Sequence, residues 1–193
     1  MTTVCIIPAR GGSTRIPGKN IKDFHGQPII AFSILKARQV GLFDRIVVST
    51  DSDAIAAVAE VYGAEVYMRP SVLALDSVGT QAVVGECVVG LELEPFDEVC
   101  CLYATAPLMD TRDLAYGYKT FMEDRSASFV MSVGYPDLCD AAQFYWGSAN
   151  DFERSAPLIS THTRLIHISP SRVCDINTPD DWDRALKMYE ALS

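Results

Sequence analysis

Arg10, Arg15, Lys19 and Lys22 place four cations within thirteen residues, interleaved with the adjacent glycines Gly11-Gly12 and with Ser13. Residues of these types at this spacing hold a polyanion, and a polyphosphate above all. Glycine has no Cβ, so the amides of Gly11 and Gly12 can approach phosphate oxygens closely, and either residue can take a positive φ where the chain bends. The whole chain carries 25 Asp+Glu against 16 Lys+Arg, a net charge of -9. The cluster is therefore a local positive field on an acidic background, as an anionic ligand requires. The plainer alternative is a solvated turn after a strand. Two familiar phosphate loops are excluded: Asn20 follows Lys19 where a G-K-[ST] loop needs a hydroxyl, and adjacent glycines do not spell G-x-G-x-x-G.

Other chemistries find little support. The six cysteines, Cys5, Cys87, Cys100, Cys101, Cys139 and Cys174, show no C-x-x-C spacing and lie mostly in apolar runs, so they read as reduced, buried small hydrophobes. His25, His162 and His167 fit no metal or nucleophile pattern. The acidic balance, with a pI near 4.7, argues against a nucleic-acid partner, which needs a broad basic face. No secretory leader or membrane-length apolar run is evident, so a cytoplasmic protein without membrane partners is expected.

The cationic loop needs elements to position it. A short apolar strand, Val4 to Ala9, leads into it. Beyond it strand and helix patterns alternate: a helix opened by Pro28 and closed by Gly41, a strand at Arg45 to Thr50, a helix to Gly63, and a strand at Glu65 to Met68. Then follow a helix at Thr80 to Leu93, a strand at Val99 to Thr105, a helix at Asp113 to Met122, and strands at Ala127 to Val133 and Leu165 to Ser169. Thr178-Pro179-Asp180-Asp181 reads as the capped start of a last helix. Such alternation over 193 residues predicts one α/β domain with a doubly wound, mostly parallel sheet and helices on both faces. Ligands of such sheets sit beyond the carboxyl ends of the strands. The loop after the first strand, Ser49-Thr50-Asp51 and Tyr103 to Leu108 should therefore meet on one rim.

The pattern P-A-R-G-G-S-x-R-I-P-x-K-N-I resembles the nucleotide loop of the sugar-acid cytidylyltransferases, the acylneuraminate and pseudaminate CMP-synthetase family. The resemblance continues through I-V-V-S-T-D, Arg69-Pro70, Leu73-Ala74-x-Asp76, Gly79-Thr80, C-C-L-Y-A-T-A-P-L, D-A-x-Q-F-Y-W-G and D-I-x-T-P-x-D-W. Tyr103 to Pro107 and Gln143 to Gly147 are spelled more like the pseudaminic acid branch than the sialic acid branch.

What the resemblance implies is a CTP-dependent transferase: the anomeric hydroxyl of a nonulosonic sugar acid attacks the α-phosphorus, pyrophosphate leaves, and a CMP-sugar forms. Arg10 and Lys19 would serve the triphosphate with the amides of Gly11, Gly12 and Ser13, and Arg15 would add to the field. By resemblance Arg69 and Thr80 would hold the cytidine, although an Arg before Pro is by itself a plain turn residue. Tyr103 falls within the nucleotide-side motifs. Asp140, Gln143 and Tyr145 would line the sugar-acid side. Asp175 and Asn177 occupy the positions of an Asp-x-Asp pair that holds Mg²⁺ (or Mn²⁺) in the family, with Asp175 also a candidate for the chemistry; by itself Asp175 reads as a turn carboxylate. Three departures stand out. Thr14 replaces the usual Lys, Asn177 replaces a carboxylate, and the stretch near 133–141 is short where relatives carry a dimerising lid over the sugar. A homodimer with an altered interface is expected, and a relative that binds nucleotide or a protein partner without turnover stays open as the second reading.

Overall fold

The structure is a computed structural model that describes residues 1–75 and 78–192; Asp76 lies outside the described residues. In chain order the elements are β1 (Thr3–Pro8), a small hairpin of β2 (Asp23–Phe24) and β3 (Gln27–Pro28), α1 (Ile29–Val40), β4 (Arg45–Thr50), α2 (Asp53–Val61) and β5 (Glu65–Met68). They continue with α3 (Thr80–Gly90), β6 (Glu98–Leu102), α4 (Thr111–Glu123), β7 (Phe129–Gly134), β8 (Asp140–Ser148), α5 (Ala149–Glu153), β9 (Thr163–Ile168) and α6 (Pro179–Leu192). A seven-stranded sheet runs in the order β5-β4-β1-β6-β8-β7-β9. β5, β4, β1 and β6 are parallel neighbours and β7 pairs parallel with β9, while β8 is antiparallel to both β6 and β7. The expected mostly parallel sheet is present, with one strand, β8, that the helix-strand alternation had not assigned.

Period-two alternation decides which residue faces which layer. In β1, Cys5 and Ile7 pack with Ile30 and Ile34 of α1, Ile55 of α2 and Leu114 of α4, while Val4 and Ile6 turn to the other face beneath Val84 and Val88 of α3 and Phe152 of α5. Both faces are covered, which is why the central strands read as unbroken apolar runs. β8 divides in the same way: Phe144 and Trp146 join the first layer and Tyr145 the second. A third cluster clamps α6 onto the β2–β3 hairpin, where Phe24 makes edge contacts with Phe32, Trp182 and Tyr189. All six cysteines are free, and only Cys139 is exposed.

Several boundaries differ from the sequence pattern. Pro28 sits one residue before α1, at the N-cap, because it still pairs with Asp23 in the hairpin. β6 ends at Leu102, so Tyr103 to Thr105 are rim and not strand; the Tyr103 amide still donates to the Gln143 carbonyl at 2.9 Å, but the chain then turns away. α3 ends at Gly90, three residues short of Leu93. The start of α6 follows the expected capping logic, with the Thr178 hydroxyl donating to Asp181 Oδ2 at 2.8 Å and the Asp181 amide donating back to Thr178 Oγ1 at 3.3 Å.

α4 depends on a cap that can be measured. The Asp110 carboxylate accepts the backbone N–H of Arg112 at 2.9 Å and is chelated by the Arg112 guanidinium, which together hold its pKa down to about 2. A depressed carboxylate contributes stability that is complete above the ordinary Asp range and is lost as pH falls toward its folded value. Asp110→Ala is therefore expected to lower stability by about 1 kcal/mol at neutral pH. The deficit relative to the parent should shrink between about pH 4 and pH 2 in chemical denaturation, since the parent then loses the same charge.

Candidate active site

The strand β1 delivers Arg10 to the rim, and the loop behind it is organised by backbone geometry. Gly18 takes φ 63, a left-handed conformation that glycine adopts without a Cβ penalty, and turns the chain into the short helical turn Lys19–Ile21. The positive φ anticipated at Gly11 or Gly12 falls on Gly18 instead. Gly11 is required for another reason: a Cβ there would lie 2.9 Å from Ser52 Cβ, so the loop packs directly on the start of α2. Asn20 is buried, and its amide donates to the Arg10 carbonyl at 2.9 Å, closing the loop on itself.

Arg10 and Lys19 line a cavity of about 240 Å³ together with Arg69, which arrives from the segment after β5. Thr80 at the start of α3 and Tyr103 and Thr105 on the β6 rim complete its polar wall; Leu73, Leu75, Val78 and Val83 form the apolar side. Three cations thus converge on a partly apolar cleft, which suits a ligand with a flat apolar part and an anionic tail. Arg69 is 6% exposed, its Nη2 lies 3.9 Å from Asp51 Oδ1, and its buried Nε has no partner. Burial pulls the Arg69 pKa down against the opposing pull of Asp51. A buried guanidinium with an unmet donor favours binding of an acceptor, because leaving that N–H unpaired is costly. Burial likewise lowers the pKa of Lys19, with Asp175 opposing it.

The remaining expected residues divide. Arg15 points past the cavity, its Nη2 3.4 Å from Asn177 Oδ1, and Lys22 leaves the site entirely, its Nζ 4.4 Å over the Trp182 ring. The Gly11 amide, expected to be open to phosphate, donates to Asp51 Oδ1 at 2.9 Å, so an anion bound there competes with that carboxylate. Ser13 donates its amide to the Gly11 carbonyl at 3.0 Å, and Gly12 faces open space. Gln143 does not reach the cavity: it is 2% exposed, and its amide donates to the Arg172 carbonyl at 2.6 Å, bracing β8 against the segment after β9. Tyr145 is also buried, behind Tyr103, and Asp140 stands exposed at the head of β8. Asp51 and Thr105 lie on the rim that the strand pattern predicts, although neither has a role assigned from the sequence. Asn20 was not singled out; its place directly after Lys19 is the signal that could have marked it.

Asp175 and Asn177 lie beside the loop, since Lys19 Nζ donates to the Ile176 carbonyl between them at 2.6 Å. The Asn177 amide donates to Asp175 Oδ2 at 2.5 Å and turns its oxygen to Arg15, so presenting both oxygens to a metal requires the amide to turn over. Among the described residues no group of three or more His, Cys, Asp or Glu could hold a metal ion. One carboxylate and one carbonyl fit only a hard cation that takes most of its shell from water and substrate phosphates, the habit of Mg²⁺.

A crevice at the carboxyl ends of parallel strands, walled by convergent cations, defines a nucleotide-binding α/β domain. The cytidylyltransferase family matches residues 4–142. Pseudaminic acid cytidylyltransferase of Campylobacter jejuni is 34% identical over 98% of this chain and 97% of its own length, and CMP-N,N'-diacetyllegionaminic acid synthase of Legionella pneumophila is 41% identical over the same shares. The chain belongs to the cytidylyltransferase family. CMP:2-keto-3-deoxy-manno-octonic acid synthetase, solved with CTP, shares the fold with a TM-score of 0.78 at 16% identity, covering 100% of both chains. The alignment to the Campylobacter protein spans 225 positions against 193 residues here, so that relative carries segments this chain lacks.

Proposed function

We propose that this protein transfers CMP from CTP to a nonulosonic sugar acid of the pseudaminic or legionaminic type, releasing pyrophosphate. The observation that carries this reading is the convergence of Arg10, Lys19 and Arg69 on one cavity with Thr80 and Tyr103. The names of the full-length relatives supply the substrate class. Charge is the main obstacle to the reaction, because a carboxylate-bearing sugar must approach a triphosphate. Preorganised cations in a half-buried cleft reduce that repulsion and stabilise the leaving pyrophosphate. In this reading Arg69 and Thr80 hold the nucleoside, while Arg10 and Lys19 hold the phosphates. Asp175 and the Asn177 carbonyl would hold Mg²⁺ or Mn²⁺, which when bound neutralises charge on the leaving group. Arg15 steadies that pair from its far side.

The connection between β7 and β8 is a tight turn of residues 135–139, which supports the reading of a shortened lid and hence a sugar site more open than the relatives'. The cytoplasm is the proposed location, in keeping with six free cysteines. The test is pyrophosphate release from CTP and Mg²⁺ with pseudaminic, legionaminic and N-acetylneuraminic acids as acceptors. Release is expected with at least one of the first two. Calorimetric CTP binding without release across the panel would overturn the transfer reading.

A further inference from the structure

Beside the cavity, three side chains form a hydrogen-bonded chain whose direction follows from counting protons. Tyr145 Oη donates to Asp140 Oδ2, and Tyr103 Oη lies 2.9 Å from Tyr145 Oη with the two rings edge to face. A phenol has one proton to give. Tyr145 gives its proton to Asp140, so the proton between the phenols belongs to Tyr103. Tyr103, which lines the cavity, therefore has only lone pairs left for it, and one of these faces the hydroxyl of Thr80. Burial raises the pKa of both phenols, so each is neutral at ordinary pH.

The backbone is distorted where this chain is built. The β7–β8 register passes from Met131 opposite Tyr145 to Val133 opposite Asp140, which leaves four residues of β8 facing Ser132 alone. Within that bulge Ala142 takes φ 51, a conformation costly for a residue with a Cβ, and its amide donates to Asp140 Oδ1 at 2.8 Å. The buried Ser132 hydroxyl accepts the Phe144 amide at 3.0 Å and donates to the Phe144 carbonyl at 3.1 Å, replacing the missing ladder bonds. Bulges beside sites commonly re-aim a side chain. Here the distortion brings the Asp140 carboxylate back against the Tyr145 phenol.

We propose that Tyr103 is the proton acceptor for the attacking sugar hydroxyl and that Asp140, acting through Tyr145, is the end of its proton path. As the hydroxyl oxygen bonds to the α-phosphorus and the bond to pyrophosphate breaks, the hydroxyl proton passes to Tyr103. The Tyr103 proton moves to Tyr145, and the Tyr145 proton moves to Asp140. Both phenols begin and end neutral, and the exposed Asp140 returns the proton to water. Tyr103 is the catalytic residue; Tyr145 and Asp140 are positioning residues. Tyr145 on its own strand and Cys101 and Tyr103 from β6 and its rim face Asp140.

This inference rests on the cytidylyltransferase reading, and the experiment separates the two. Tyr145→Phe keeps the ring and Asp140→Asn keeps the size, so both should fold, as thermal melts will show. Each is expected to lower kcat with the sugar acid by about 10²-fold, the ordinary worth of positioned acid–base catalysis, with calorimetric CTP affinity unchanged. Asp140→Glu, which keeps a carboxylate at the end of the path, should restore part of the rate that Asp140→Asn loses. If the parent turns over but both variants keep kcat within about twofold, the relay is overturned while the transfer reading stands. If the parent binds CTP and forms no product, both fall.

Discussion

Lys19→Met is expected to lower kcat/KM for CTP by about 10²–10³-fold, the loss typical when one preorganised donor to a charged transition state is removed. Lys19 is half-buried in a cavity shared with Arg10 and Arg69, so its charge acts where water screens it little. The same Nζ donates to the Ile176 carbonyl at 2.6 Å, which gives the substitution a structural component as well. The two are separable. Loss of that tether alone costs about 1–2 kcal/mol and appears as a lower melting temperature with kcat/KM nearly intact. Loss of phosphate stabilisation appears in pyrophosphate release with the melting temperature nearly unchanged. A variant with a shifted melt and undiminished turnover would remove Lys19 from the site.

The second large effect is expected in the core. Trp146 is fully buried in β8, stacked on Phe43 at 5.2 Å between ring centroids and packed against Tyr118 at 4.9 Å. Trp146→Ala removes an indole that no neighbour can replace and should destabilise the protein by about 3–5 kcal/mol. For a domain of this size that is a fall of roughly 10 °C in melting temperature. The consequence reaches the site, because Tyr145 is the next residue on the same strand and points to the opposite face. A loosened β8 should therefore weaken sugar-acid turnover before CTP binding, since the cationic loop belongs to β1 on the far side of β6. Equal stability of parent and variant in urea would contradict the packing account.

Much of the architecture was legible because its signals are local. The apolar run of β1, the helix start at Thr178 to Asp181 and the glycine closing α1 at Gly41 each depend on neighbours a few residues away. The cationic cluster that brings Arg10 and Lys19 to one cavity was legible for the same reason, since four cations and two glycines lie within thirteen residues. Lys22 shows the limit of that reading. Its spacing matches the others, yet Trp182, some 160 residues later, draws it out of the site by a cation–π contact.

Amino-acid order alone determined the strand-helix alternation, the cationic turn and the class of ligand it can hold, because backbone propensity, capping and charge density act over short stretches of chain. Tertiary structure alone decided that β8 enters antiparallel between β6 and β7, that Lys22 leaves the site, that Gln143 is a buried brace, and that Tyr103 turns only lone pairs to the cavity. Those outcomes depend on which distant segments pair and which polar groups lose water together. Both are set by the packed whole and not by the spacing of residues along the chain.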